Sequence, residues 1–288
     1  MIAASTGRAT LAACLFLSVS TSAWSHVGLS NLTTGITAGG QSAFAIAGTT
    51  NEIAFAIPHG CTAAESRRVD NASATFVGTS PSGNLDTHKV TITVPAAVVT
   101  ATGASSLRPA MSGLFGVVAR STDIDGNVTF TWTRQAGLSG PGDDDQLYKL
   151  SVRMKLPSAV GSAIRKLQFI TRQYCKDSGN NDWVMDWGTA NSPTLLAFPD
   201  KRRGFNSYTL DASTVGDFTS AGTGTLAARL KAYFGDAAIV WVGKAGYSAN
   251  AITQARVTAL IAKDSSYSDL GATAGKSLTA NDTIWVRY

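Results

Sequence analysis

Between residues 52 and 57 the chain alternates: Ile53, Phe55 and Ile57 fall on one face, Glu52, Ala54 and Ala56 on the other. A period of two predicts a half-buried β-strand. Residues 74–77, 89–94, 116–119 and 128–132 repeat the pattern, with Gly and Pro between them. Asp125-Gly126, set between Ile124 and Val128, is a hairpin signal. Residues 147–156 alternate again, and 167–170 lead into Cys175. Short strands at this spacing predict an all-β sandwich.

The pattern changes after 199–204, where Pro199, three consecutive Lys/Arg and Gly204 mark a break. Leu226, Leu230, Tyr233 and Phe234 then recur at helical spacing, and 252–262 reads as a second helix. Residues 238–242 read as a buried strand. The strings IVWV at 239–242 and TIWV at 283–286 are alike, but two four-residue matches are too short to define a repeat. The expected organisation is a signal peptide at 1–25, a sandwich at 26–199 and a small α+β extension at 200–288.

Composition narrows the class. Hydrophobic residues are 44% of the 288, enough for a packed core. Charged residues are 15%, against roughly 25% in an average soluble domain. The net charge of +5 excludes an acidic disordered chain, and no Lys/Arg block suggests a nucleic-acid arm. Beyond the first 20 residues or so, no apolar run approaches the roughly 20 residues of a membrane helix.

The N-terminus reads as an export signal. Arg8 precedes the apolar stretch at 9–19, and Ala23 and Ser25 stand at −3 and −1 of a cut before His26. A lipobox-like string, Leu11-Ala12-Ala13-Cys14, offers a rival cut, but there the apolar stretch follows the Cys instead of preceding it. Cleavage before His26 leaves 263 residues with 23 basic and 19 acidic side chains, a net +4. It leaves two cysteines, Cys61 and Cys175. An even pair in an oxidising compartment reads as one disulfide, with two buried thiols as the alternative. The expected location is the periplasm.

Few residues offer chemistry. The three His are at 26, 59 and 88, and none lies near a G-x-S-x-G elbow. Asp143, Asp144 and Asp145 lack the spacing of a calcium loop, and Asp123-Ile124-Asp125-Gly126-Asn127 is better explained as a turn. The basic run at 201–203 reads as a solvated linker. His26 stands apart. As the first mature residue it offers its α-amino group and imidazole Nδ1, which together chelate a metal. The amine pKa is about 8, so losing its proton near neutral pH costs little. Nitrogen chelates favour copper(II) over other first-row divalent ions.

Around it stand His26-Val27-Gly28-Leu29, then Glu52 to Pro58-His59-Gly60-Cys61, then Val90 to Pro95 and Arg108-Pro109-Ala110-Met111-Ser112-Gly113. Leu156-Pro157, Gly161, Leu167-Gln168-Phe169, Gln173-Tyr174-Cys175 and Trp183 follow. This succession resembles the YcnI-like family over residues 26–198. The P-H-G-C and Q-x-C…W segments are its most specific parts.

The resemblance implies an exported sandwich that binds copper(II) in a monohistidine brace. His26 would chelate, Glu52 would add its carboxylate, and Trp183, with Trp187 as the alternative, would pack over the site and limit solvent. Glu52 shares its small face with Ala54 and Ala56, which could lie beneath an N-terminal strand. The expected fold is mainly β: an immunoglobulin-like or fibronectin-like β-sandwich with one inter-sheet disulfide and the small α+β extension.

The function expected is copper(II) binding without catalysis, for periplasmic copper trafficking or homeostasis. Its partners would be the copper ion and other periplasmic copper-handling proteins, with no nucleic acid and no transmembrane segment after signal removal. The alternatives are a metal-free structural or ligand-binding sandwich, a copper oxidative enzyme needing His59 or His88 as a further nitrogen ligand, and an outer-membrane barrel. The strands are shorter than the 9–11 residues a barrel needs, and aromatic girdles are missing.

Overall fold

The fold is seen in a computed structural model. It describes residues 27–30, 32–37, 40–62, 66–70, 75–77, 85–116, 119–137, 147–188, 192–219, 225–236, 238–271 and 278–288. In chain order the strands begin with β1 (Gly28–Leu29), β2 (Thr33–Thr37), β3 (Gly40–Ile46), β4 (Thr50–Ile57), β5 (Arg67–Asp70), β6 (Thr75–Val77) and β7 (Thr87–Val94). Helix α1 (Ala96–Thr102) leads to β8 (Arg108–Pro109), β9 (Ala119–Thr122), β10 (Val128–Thr133) and β11 (Tyr148–Lys155). Then come β12 (Ala163–Gln168), β13 (Ile170–Lys176), β14 (Asp182–Asp186) and β15 (Thr194–Phe198). The last part holds β16 (Phe205–Leu210), α2 (Ala212–Thr219), α3 (Leu226–Phe234), β17 (Ile239–Val242), β18 (Ala245–Ser248), α4 (Ala251–Lys263), β19 (Ser268–Asp269) and β20 (Thr283–Arg287).

These strands form three sheets: β1-β4-β11-β8, β6-β5-β14-β13-β7-β10-β9, and β19-β18-β17-β20-β16-β12-β15-β3-β2. The mainly β sandwich and its disulfide are as expected. Alternation decides which side chains go in. Leu150, Val152 and Met154 are buried, while Lys149, Arg153 and Lys155 between them are exposed. These join Ile53, Phe55, Ile57, Val90, Ile92, Phe130 and Trp132 in a first core drawn from all three sheets. The hairpin at Asp125-Gly126 is present, joining β9 to β10 with Thr122 opposite Val128.

The expected strand at 167–170 is instead a corner. β12 belongs to the nine-stranded sheet and β13 to the seven-stranded one. Phe169 between them is fully buried and meets Phe55 edge-on at 5.3 Å. An apolar run marks burial, and here the burial is that of a chain changing sheets.

Residues after 200 build onto the sandwich edge to edge. β16 pairs in parallel with β12, Ala163 opposite Thr209. The strings IVWV and TIWV are adjacent strands, Trp241 opposite Trp285. Leu230, Tyr233 and Phe234 of α3 fill a second core with Tyr208, Val240 and Ile284. Thr225 caps α3 by accepting a hydrogen bond from the Ala228 amide. β15 belongs to both cores: Leu195 and Ala197 to the first, Leu196 and Phe198 to the second. The basic run at 201–203 is exposed, and the Lys201 ammonium lies over Tyr288 at 4.8 Å and Phe44 at 5.3 Å. Among the described residues no helix is long and apolar enough to cross a membrane.

Cys61 and Cys175 are bonded, their Cα atoms 6.0 Å apart. Cys61 lies four residues past β4, and Cys175 is on β13, so the bond ties the chain leaving the four-stranded sheet to the seven-stranded one.

Two stability tests follow. Cys61→Ser opens a loop with a sequence separation of 114 residues; it is expected to cost about 4–5 kcal/mol. Thiol titration with and without reductant checks the bond, and chemical denaturation checks the loss. Phe198→Ala is expected to cost about 3–5 kcal/mol. Calorimetry should show residues on both sides of 200 melting together, because β15 carries both cores. Two separate transitions, with only the later one shifted, would show that the cores are independent.

Candidate metal centre

His26 lies outside the described residues, as do Asp143, Asp144 and Asp145. The chain just after His26 is described. Val27 and Leu29 are each 2% exposed and belong to the first core. β1 pairs antiparallel with β4, Gly28 opposite Ala56 and Leu29 opposite Phe55. The N-terminal strand therefore lies beside β4 in the same sheet and does not cover its small face. It enters at the Pro58 end of β4.

Glu52 is at the other end. It is exposed, opposite Arg153 across the pair with β11. Four residues separate it from Ala56, about 14 Å along a strand. Glu52 shares a face with Ala54 and Ala56 by the period of two, but those two are buried and Glu52 is exposed, so the alternation does not by itself say what covers each position. Trp183 is on the seven-stranded sheet, opposite Cys175 and 5% exposed in the first core. Trp183 stands beside the disulfide, on a different sheet from Glu52. Trp187 is buried in the same core.

The Trp183 indole N–H donates to Asp177 Oδ2 at 3.0 Å. Asp177 also accepts from the Asn181 amide at 2.9 Å and from Asn181 Nδ2 at 3.0 Å. These donors, Trp183 first, favour the charged carboxylate and hold its pKa down at about 2. Asp177 and Asn181 close the hairpin between β13 and β14, with Asn180 at φ 62°. Sequence reasoning missed this role; an Asp and an Asn flanking Ser178-Gly179-Asn180 were the available signal.

The two motifs that carry the resemblance meet in space. Gln173 Nε2 donates to the His59 carbonyl at 2.6 Å and to Thr87 Oγ1 at 2.5 Å, all three residues being buried. Cys61 and Leu85 exchange two backbone hydrogen bonds of 2.8 Å. A Cβ at position 60 would stand 2.2 Å from the Leu85 carbonyl oxygen, so only Gly allows this approach. His59 Nδ1 lies 2.6 Å from the Gly60 carbonyl oxygen. A carbonyl only accepts, so Nδ1 carries the proton in the neutral ring. P-H-G-C and Q-x-C thus form one buried joint.

His88 is beside this joint, its Nε2 2.9 Å from Asp182 Oδ1, with Lys176 Nζ 3.7 Å from the same oxygen. Burial lowers the His88 pKa and outweighs the attraction of Asp182, with Lys89 and Lys176 opposing the charged ring as well. Among the described residues no three His, Cys, Asp or Glu side chains gather as a metal site.

No family model and no curated protein matches this chain. The solved structures similar to it include these two. An uncharacterized protein from Nocardia farcinica, whose structure shows an immunoglobulin-like fold, is 18% identical over 60% of this chain and 98% of its own, with a TM-score of 0.36. CaCohA2 from Clostridium acetobutylicum is 10% identical over 61% of this chain and 93% of its own, with a TM-score of 0.28. At such scores the fold description rests on the strand pairing above.

The Asp177 hydrogen bonds predict a pH dependence. Its folded pKa of about 2 lies below the unfolded value, which is about 3.9. The stabilisation is complete above about 4 and is lost as pH falls toward 2. Asp177→Asn should therefore flatten stability against pH over that window, as measured by urea denaturation. An unchanged slope would show that other carboxylates produce it.

Proposed function

We propose that the exported chain, cut before His26, binds copper(II) for periplasmic copper trafficking or homeostasis, holding it with the His26 amine and imidazole. The observation that supports this is the anchoring of the next residues. Val27 and Leu29 are buried and Gly28 is paired, so the residues directly after His26 are held in the sheet. A chelate is stronger when its ligands are already held in place. Two nitrogens and further oxygen ligands suit tetragonal copper(II). The role is binding without catalysis.

The geometry revises the weight of the remaining ligands. Glu52 lies four residues along β4 from Ala56, which stands opposite Gly28, and the Trp183 N–H is engaged by Asp177. The reading therefore rests on the His26 chelate, with His59 at the nearer end of β4.

Copper(II) titration with paramagnetic resonance tests it, using protein shown by mass to begin at His26. One equivalent should bind. Binding should weaken below about pH 6, where imidazole and amine hold their protons. One Ala added before His26 moves the free amine and should lower affinity at least about tenfold. Glu52→Gln should change it little. Equal affinity and spectrum for the extended and native termini would refute the chelate. A large loss in Glu52→Gln alone would restore the brace with its carboxylate.

A further inference from the structure

The outward face of the C-terminal strands carries an exposed aromatic row. On β16, β20 and β17, Tyr208, Ile284 and Val240 turn into the second core. Ser207, Trp285 and Trp241 turn the other way. Ser207 is opposite Trp285, Trp285 opposite Trp241, and Trp241 opposite Gly246. Two indoles thus stand side by side, bracketed by a Ser and a Gly.

The small brackets leave room for rings to lie on the sheet. A Cβ at position 246 would stand 2.5 Å from a Trp241 ring carbon, so that indole covers the glycine backbone. Tyr267 meets Trp241 edge-on, 5.9 Å away at 79°, and props it there. Trp285 is 49% exposed, and Phe205, further along the same face, is 61% exposed. Exposed large aromatics gathered on one face mark a binding surface.

Charge selects the occupant. The Arg287 guanidinium lies 5.5 Å from the Phe205 ring centre, and Lys244 Nζ lies 5.6 Å from that of Tyr267. A cation thus stands toward each end of the row. The nearby Asp269 carboxylate is engaged away from the row, accepting from the Gly271 amide and from Gln254 Nε2 on α4. Ring faces carry partial negative charge and attract the C–H face of a sugar. The flanking cations attract carboxylates. A single-stranded nucleic acid would share the charge, but the Cys61–Cys175 bond suits an oxidising compartment, apart from the nucleic acids of the cytosol.

We propose that the face formed by Trp241, Trp285 and Phe205, flanked by Lys244 and Arg287, binds an acidic polysaccharide, with sugar rings stacked on the indoles. This is independent of the copper reading.

Affinity electrophoresis of the full exported chain in gels containing alginate or polygalacturonate tests it, with neutral dextran and single-stranded DNA as comparison ligands. Acidic polysaccharide should retard the protein more than dextran does. Trp285→Ala should weaken binding by about tenfold or more. Arg287→Gln should weaken it less and reduce its salt dependence. Ile252→Ala, an exposed residue on α4, should bind as the unaltered protein does. If Trp285→Ala fails to fold by circular dichroism, Phe205→Ala carries the test, with a loss expected. No retardation, equal retardation by dextran, or equal binding by Trp285→Ala would overturn the proposal. So would preference for DNA, or a dimer in sedimentation that Trp285→Ala dissolves, which would make the face a contact between copies of this chain.

Discussion

The strand at Thr194–Phe198 has no free side. Its edges are hydrogen bonded to β12 and β3, and its alternate side chains enter two different cores. All five of its residues are buried. A strand in this position must be apolar throughout, because neither face meets water. The two cores therefore share a wall. Phe198 meets Phe44 at 5.7 Å and Tyr208 at 5.3 Å, joining a strand near the N-terminus to one beyond residue 200. The C-terminal helices and strands rest on this wall, and the parallel pair of β12 with β16 extends it.

A second constraint acts where the chain leaves β4. Three groups hold the same short crossover: the Cys61–Cys175 bond, the Gln173 amide on the His59 carbonyl, and the backbone pair of Cys61 with Leu85. Buried polar groups with partners fix one geometry, since each lost bond leaves an unpaid desolvation cost. The residues that looked most like a family signature therefore have a structural explanation of their own. The proposed copper chemistry depends on the neighbouring edge, where β1 joins the sheet at the same end of β4.

The two proposed surfaces use different parts of the fold. The proposed chelate would stand just before the first strand of the four-stranded sheet, and the aromatic row belongs to the far strands of the nine-stranded one. Their physics differs as well. The first needs a free amine held by backbone pairing. The second needs rings kept in water by small neighbours, with cations resting against them.

Local pattern was enough for much of this. Alternation at 52–57, 89–94, 128–132 and 147–156, the Asp-Gly turn, and the two C-terminal helices are properties of neighbouring residues, and they determined those elements. The sequence leaves Cys61 and Cys175 as either a disulfide or two thiols, and the packing of β13 beside the end of β4 decides for the bond. Other features depend on residues far apart in sequence. The corner at Phe169, the parallel pairs of β3 with β15 and β12 with β16, and the adjacency of IVWV and TIWV arise when distant segments choose each other by packing. Trp183 shows the same limit: its place beside Cys175 and its bond to Asp177 follow from the β13–β14 hairpin. Glu52 shows it most plainly. The period of two places it with Ala54 and Ala56, yet those two are buried while Glu52 is exposed, and its distance from the N-terminal strand depends on Gly28 standing opposite Ala56; register is a property of the pair, not of either strand.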